Sequence, residues 1–189
     1  MDGSDGGDMG SAELKEKLSS DELAALVNRS KSGDESAMAE LISRTKNSLF
    51  RFLLFLCQDA NLAQDLCQDT YVYVLQHIGS LKKESSFQTW LFLIAKNKLF
   101  DHRRSRKNQP HSEIESAFRE LSAPSRELLI QTREVFSQLS EEDRLVLLLI
   151  DLEGRSYAEA SEVIGISEPA LVSRLHRARC RFHELFFGK

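Results

Sequence analysis

The chain has 189 residues, 25 of them Lys or Arg and 29 Asp or Glu, for a formal net charge of −4. That length allows one or two domains, and an apolar content of 41% suffices for a core. The acidic balance excludes a uniformly basic nucleic-acid coat, and three cysteines, an odd number, do not make a disulfide framework. The start is acidic and glycine-rich, with no positive segment leading into an apolar run, so no secretory signal is expected. The most apolar runs, 50–57 and 145–152, are too short to span a bilayer, and the chain reads as cytoplasmic with no membrane insertion.

Only three prolines and nine glycines occur, and long stretches repeat apolar residues with a period near 3.6, so the expected class is all-α. Residues 1–20 carry Asp2, Asp5, Asp8, Glu13 and Glu16 with too few apolar residues to pack, and read as a disordered acidic tail. A first helical domain is expected over 21–107. In it a helix from Asp34 carries Met38, Leu41, Ile42, Thr45, Leu49, Phe52, Leu53 and Leu56 as one stripe. Asp59–Asn61 breaks the pattern, a second helix runs to about His77, and the loop GSLKKESS leads to a third helix from Phe87 to about Arg104. Between Ser105 and Ser125 the period fades among two prolines and scattered charge, which reads as a flexible linker, 108–125. A second small helical domain, 126–189, is expected to hold helices near 126–138, 141–152, 156–164 and 168–186, with Ser140 capping one start and Gly154 ending another.

The last two helices have the layout of a helix-turn-helix. Ser156 and Glu159 form a capping box, Gly165 supplies a left-handed turn, Ser167 caps the next helix, and Pro169 is tolerated in its first turn. That second helix has an apolar stripe at Leu171, Leu175, Ala178, Phe182 and Leu185, leaving Arg174, Arg177, Arg179 and Arg181 for solvent or phosphate. A short helix packed behind a basic one is a common way into the DNA major groove.

The first domain offers two further surfaces. In its second helix Asp65, Gln68, Asp69 and Val72 fall on one side, a polar, mostly acidic face suited to a basic partner helix. Its third helix buries Phe87, Trp90, Leu91 and Ile94, then turns basic through Lys96, Lys98, Arg103, Arg104, Arg106 and Lys107. Asn97, Asp101 and Arg104 share a face there, at spacings of four and three. The net acidity of the whole predicts weak DNA binding by the free protein, because phosphate neutralisation dominates that affinity.

Four stretches, GDESAMAELISR (33–44), NLAQDLCQDTY (61–71), SFQTWLFLIAKNKLFDHRR (86–104) and the segment from Leu139 to Arg179, together resemble a bacterial extracytoplasmic-function sigma factor, the minimal two-domain kind of the sigma-70 family. The resemblance implies a sigma factor that binds RNA polymerase core and directs promoter-specific initiation at minus-35 and minus-10 elements, aiding DNA melting. It places core binding on Asp65, Leu66, Gln68, Asp69 and Val72. Minus-10 DNA falls to the loop Leu81–Ser86, with Lys83, Ser85 and Ser86, and to Asn97, Arg103 and Arg104, with Asp101 orienting Arg104. Extruding a base into such a loop costs a few kcal/mol, which stacking and hydrogen bonds offset.

The minus-35 element falls to Ser167, Glu168, Ala170, Ser173, Arg174 and Arg177. The linker glutamates Glu113, Glu115 and Glu120 would thread toward the polymerase channels as nucleic-acid mimics. Many relatives are held by an anti-sigma factor, which becomes a candidate partner beside polymerase core and promoter DNA. No cofactor and no catalytic residue is implied.

Three rivals stand beside this reading. A stand-alone helix-turn-helix regulator leaves the first domain's faces unexplained. A metal or redox protein is suggested by His176, Cys180 and His183, at spacings of four and three on one helix face, with Cys57 and Cys67 as further thiols, yet no fourth ligand is evident. For an enzyme there is no Gly-rich phosphate loop, nucleophile elbow or His–carboxylate constellation.

Overall fold

The computed structural model describes residues 20–105 and 126–188. All regular elements among them are helical: α1 (Ser20–Lys31), α2 (Glu35–Cys57), α3 (Ala60–His77), α4 (Phe87–Ser105), α5 (Arg126–Gln138), α6 (Glu141–Leu147), α7 (Tyr157–Ile164) and α8 (Glu168–Phe187). The acidic tail, the linker with Glu113, Glu115 and Glu120, and Arg106 and Lys107 lie outside the described residues.

The boundaries follow local chemistry. Asp34 caps α2 by accepting from the Ala37 amide at 3.0 Å, and it also takes the Arg29 guanidinium at 2.6 Å. Those bonds, the Ala37 amide first, hold its carboxyl down at about 2. Asp59 caps α3 through the Leu62 amide, and Ser140 caps α6 through the Asp143 amide. α2 ends at Gln58, a non-glycine residue in the left-handed region with φ 60°. The amide of Gln58 bonds Leu54 O at 2.9 Å, which offsets the strain.

Helices α1–α4 make the first lobe around Leu41, Leu49, Phe52, Leu53, Phe87, Leu91 and Phe92, all essentially buried, with the Phe52 and Phe92 rings 4.8 Å apart. Helices α5–α8 make the second around Leu145, Val146, Leu148, Leu149, Ala160, Val163, Leu171, Leu175 and Ala178. The expected helix 141–152 differs in its last turn, which widens into a π-helix over Leu148–Leu152. There the amides of Glu153 and Arg155 reach back to Leu148 O and Leu149 O at 2.9 and 2.8 Å. The wide turn keeps Leu148 and Leu149 buried while bringing the chain to Gly154, at φ 63°, for the reversal into α7.

The two lobes pack against each other. The run Phe52–Cys57 is buried on every side of α2 because α6 and the π-turn cover the face that α3 and α4 leave open. Phe55 of α2 meets Phe136 of α5 at 5.1 Å, and α4 lies along α7. The helices of the two lobes thus share one continuous core.

Candidate nucleic-acid interface

The helix-turn-helix forms as its residues dictate. Ser156 and Glu159 make the full capping box: the Glu159 amide donates to Ser156 Oγ and the Ser156 amide to Glu159 Oε2. Burial works to raise the Glu159 pKa, but bonds from Ser156, Thr89 and Arg155 outweigh it and the carboxylate is favoured. Gly165 closes α7 at φ 85°, its amide bonding Ser161 O. Ser167 sits at the N-cap of α8 in an extended conformation but makes no side-chain capping bond, so its hydroxyl stays exposed at the helix start.

In α8, Leu171, Leu175 and Ala178 are buried, with Phe182 and Leu185 half-buried against the core, which turns the opposite side outward. Ser167, Glu168, Ala170, Ser173 and Arg177 are all exposed there, with Arg177 bonding Ser173 Oγ at 3.3 Å. Arg174 is half-buried and paired with Glu142 of α6 at 3.0 Å. Arg179 is gripped through two nitrogens by Asp151 at 2.5 and 3.2 Å. Spacing along α8 gives no sign of these two acids, which come from elements 28 and 32 positions upstream.

On α3, Asp65, Gln68, Asp69 and Val72 are exposed together. Leu66 is corrected: it is 3% exposed and belongs to the core, where it holds the helix that displays the other four. Val72 and Leu75 add exposed apolar surface beside the carboxylates.

The loop before α4 folds as a short 3-10 turn, Glu84–Ser86, with Leu81 buried beneath it. Lys83 and Ser85 are exposed, and Ser86 is half-exposed, its hydroxyl bonding Lys83 O at 2.7 Å. Lys31 of α1 pins this loop by donating to Leu81 O at 2.5 Å and Glu84 at 2.6 Å, a contact about fifty positions away in sequence that no local signal announces. The bond from Lys31 lowers the Glu84 pKa.

Asn97, Asp101 and Arg104 lie exposed on one face of α4, and Asp101 pairs with Arg104 at 3.4 Å. Arg103 is on another side. Its guanidinium pairs with Glu141 of α6, so among the six candidate minus-10 residues it is the one turned toward the second lobe. Phe87 is fully buried, while Trp90 is half-buried near Tyr73, whose ring stacks on His77 at 4.0 Å and lies under the Lys98 ammonium.

The His176–Cys180–His183 trio does not converge. His176 Nδ1 and Cys180 Sγ are 3.9 Å apart, while His183 packs on the Phe187 ring. Among the described residues no group of three His, Cys, Asp or Glu side chains is arranged to hold a metal ion, and no helix is long and apolar enough to cross a membrane.

These surfaces can be set beside known proteins. Residues 41–109 match the family described as Sigma-70 region 2, and residues 129–181 match Sigma-70, region 4. The probable RNA polymerase sigma-C factor of Mycobacterium bovis is 31% identical over 83% of this chain and 87% of its own length. The extracytoplasmic-function factor SigM of Bacillus subtilis is 33% identical over 78% of this chain and 93% of its own. Among solved structures, CnrH in complex with the cytosolic domain of CnrY has a TM-score of 0.70 at 25% identity, covering 88% of this chain and 98% of that one. The sigma factor RpoE of Bartonella quintana, bound to the anti-sigma factor NepR, scores 0.69 at 26% identity, covering 80% and 97%. Both family regions fall in the order and at the places of the two lobes. The chain belongs to the sigma-70 family as an extracytoplasmic-function sigma factor, the subunit that directs RNA polymerase to promoters for transcription initiation.

Proposed function

We propose that three separate faces divide the work. The acidic face of α3, with Asp65, Gln68, Asp69 and the apolar Val72, docks on polymerase core. The loop carrying Lys83, Ser85 and Ser86, with Asn97 and Arg104 of α4, receives the minus-10 element. The start of α8, from Ser167 through Arg177, reads the minus-35 element. The observation that carries this division is that Asp65, Gln68, Asp69 and Val72 on α3, Lys83, Ser85, Asn97 and Arg104 on the loop and α4, and Ser167, Ser173 and Arg177 on α8 are all exposed, on elements that also bury residues in the core.

The chemistry of each face supports it. Carboxylates flanking an exposed valine suit a basic partner with an apolar centre, the usual make-up of an interface core with a polar rim. Asn97 offers an amide for bidentate contact with adenine, and Arg104 is held out by Asp101. Of the two arginines assigned to the groove, Arg177 has no acidic partner among the described residues, whereas Arg174 must exchange Glu142 for DNA. Catalysis of phosphodiester formation is left to the polymerase, and this chain supplies recognition.

We further infer an anti-sigma partner. A cavity of about 380 Å³ opens in the second lobe, lined by Phe136, Leu147, Leu148 and Phe182 with the exposed Leu152 and Phe187, and touched from the first lobe by Phe55. Sigma factors of similar fold have been solved with such partners, and an apolar groove of this kind suits an amphipathic helix.

The test is a footprint with purified core polymerase. Lys83→Ala and Asn97→Ala are expected to weaken protection and melting around minus-10 alone, and Arg177→Ala protection around minus-35 alone. Uniform loss across the promoter from each variant would contradict the division.

A further inference from the structure

The segment between α3 and α4 is held by its own residues only through short-range bonds. The Leu81 amide reaches Ile78 O at 3.2 Å, and the Ser86 amide and hydroxyl reach Lys83 O at 3.1 and 2.7 Å. Neither of its 3-10 turns, Ile78–Ser80 and Glu84–Ser86, has a side-chain cap, and such turns have poorer hydrogen-bond geometry than an α-helix. Between them Leu81 is buried, and Lys82 and Lys83 are exposed.

The brace comes from α1. The ammonium of Lys31, the last residue of that helix, donates to Leu81 O at 2.5 Å and to Glu84 Oε1 at 2.6 Å, so it ties down the chain on both sides of Lys82 and Lys83. The Lys31 and Glu84 side chains are only 19% and 29% exposed, and a sheltered pair is screened less than a surface one. α1 is itself fixed: Leu23, Leu26 and Val27 are buried, and Arg29 bonds Asp34 at the cap of α2.

Two consequences bear on the loop as a receiver of DNA. The first is charge. With Glu84 drawn back onto Lys31, the loop shows the strand two exposed lysines, the sign that phosphate requires. The second is shape. Extruding a base already costs energy, and ordering the loop at the same moment would add the entropy of fixing its backbone. A bond to the Leu81 carbonyl holds main chain in place before DNA arrives, and Lys83 and Ser85 flank the Glu84 that the same ammonium grips.

We propose that Lys31 is a positioning residue for minus-10 base selection: it sets the shape and charge of the loop while making no contact with DNA itself. This rests on the assignment of the loop to the minus-10 element. It adds a residue about fifty positions upstream, on a helix that carries none of the assigned promoter contacts, as one on which base choice depends.

The test uses holoenzyme made from core polymerase and the full chain, on promoters carrying each base in turn at every minus-10 and minus-35 position. Lys31→Met keeps the reach of the side chain and removes the donor. It should lower the preference for the best base at a minus-10 position about five- to tenfold, the scale of one lost charge-assisted hydrogen bond, with minus-35 preferences and core affinity within about twofold of wild type. Lys31→Arg should recover most of the preference, because it restores a cation with several donors. Glu84→Gln leaves the bond to Leu81 O in place and should lose only part of it. Lys83→Ala combined with Ser85→Ala serves as the control for the loop itself.

Minus-10 preference lowered by the control but unchanged by Lys31→Met overturns the positioning role. So does a folded Lys31→Met that loses minus-35 preference or core affinity to the same degree, the mark of a general structural defect. Should Lys31→Met fail to fold, Glu84→Gln decides, and unchanged preference there overturns the proposal. A control that leaves minus-10 preference untouched would instead overturn the assignment of the loop to that element.

Discussion

Thr89 of α4 donates its hydroxyl to Oε1 of Glu159 at 2.9 Å, so the capping box that starts the helix-turn-helix has a third member from the other lobe. The other oxygen, Oε2, takes the Ser156 amide and hydroxyl at 2.9 and 2.8 Å. A helix end in the second lobe is therefore partly completed by the first.

Thr89→Val keeps the shape of this buried side chain and removes only the donor. It is expected to lower unfolding stability by about 0.5–1.5 kcal/mol, the net worth of one hydrogen bond. The loss should shrink toward zero in a Glu159→Ala background, where the acceptor is already gone. Urea unfolding of the parent, both single variants and the double variant checks it. An equal cost of Thr89→Val in both backgrounds would mean that this hydrogen bond contributes nothing.

The cap at Asp34 makes a prediction about acid. Its carboxyl is held at about 2 against an ordinary 3.8, first by the Ala37 amide and then by Arg29. A depressed carboxylate contributes stability that is fully present above its unfolded value and is lost as pH falls through the folded one. Stability should therefore decline from about pH 4 toward pH 2, and Asp34→Asn should flatten that part of the curve. Denaturant midpoints across this window give the answer; parallel curves for variant and wild type would count against it.

The cysteines should separate by reactivity. Burial pushes Cys57 up to about 11 and Cys67 up to about 12, whereas Cys180 is exposed on α8. At pH 8 a thiol reagent should modify Cys180 quickly and the other two only as fast as the first lobe opens, because the thiolate is the reactive form. Three equal fast equivalents would contradict the packing around α2 and α3.

On α8, Arg174 pairs with Glu142 at 3.0 Å, and the proposed groove contact has to compete with that pair. Glu142→Gln should free the guanidinium and tighten minus-35 binding by the holoenzyme a few-fold, while Arg174→Ala should weaken it by about 1–3 kcal/mol. Titration of holoenzyme on promoters with intact and altered minus-35 elements measures both; opposite signs would mean that Glu142 positions the arginine instead of competing for it.

Most of the helical frame is legible in the sequence because it is local. Asp34, Asp59, Ser140, Ser156 and Gly165 act within four residues of themselves, and each marks an end where the residue type demands it. The exposed faces of α3 and α8 follow from spacing alone. What stays hidden depends on partners distant in the chain: Lys31 under the loop, Glu142 and Asp151 on the arginines, and the lobe contacts of Lys96 and Arg103. One trace of that packing is visible in retrospect. FLLFLC at 52–57 is apolar on all sides, more than a helix covered on one face requires, and the second lobe is what covers the remainder. Leu66 illustrates the opposite error, since its motif position suggests a surface contact although the apolar stripe of α3 runs through it.

The most direct test of the central claim is transcription from a promoter library with purified core polymerase, with and without this chain. Core plus the chain should produce discrete start sites sharing one minus-35 and one minus-10 sequence, absent with either component alone, and Asp65→Lys with Asp69→Lys should abolish them at limiting protein. Sequence-specific retardation of duplex promoter DNA by the chain alone, with no new start sites when core is added, would contradict it.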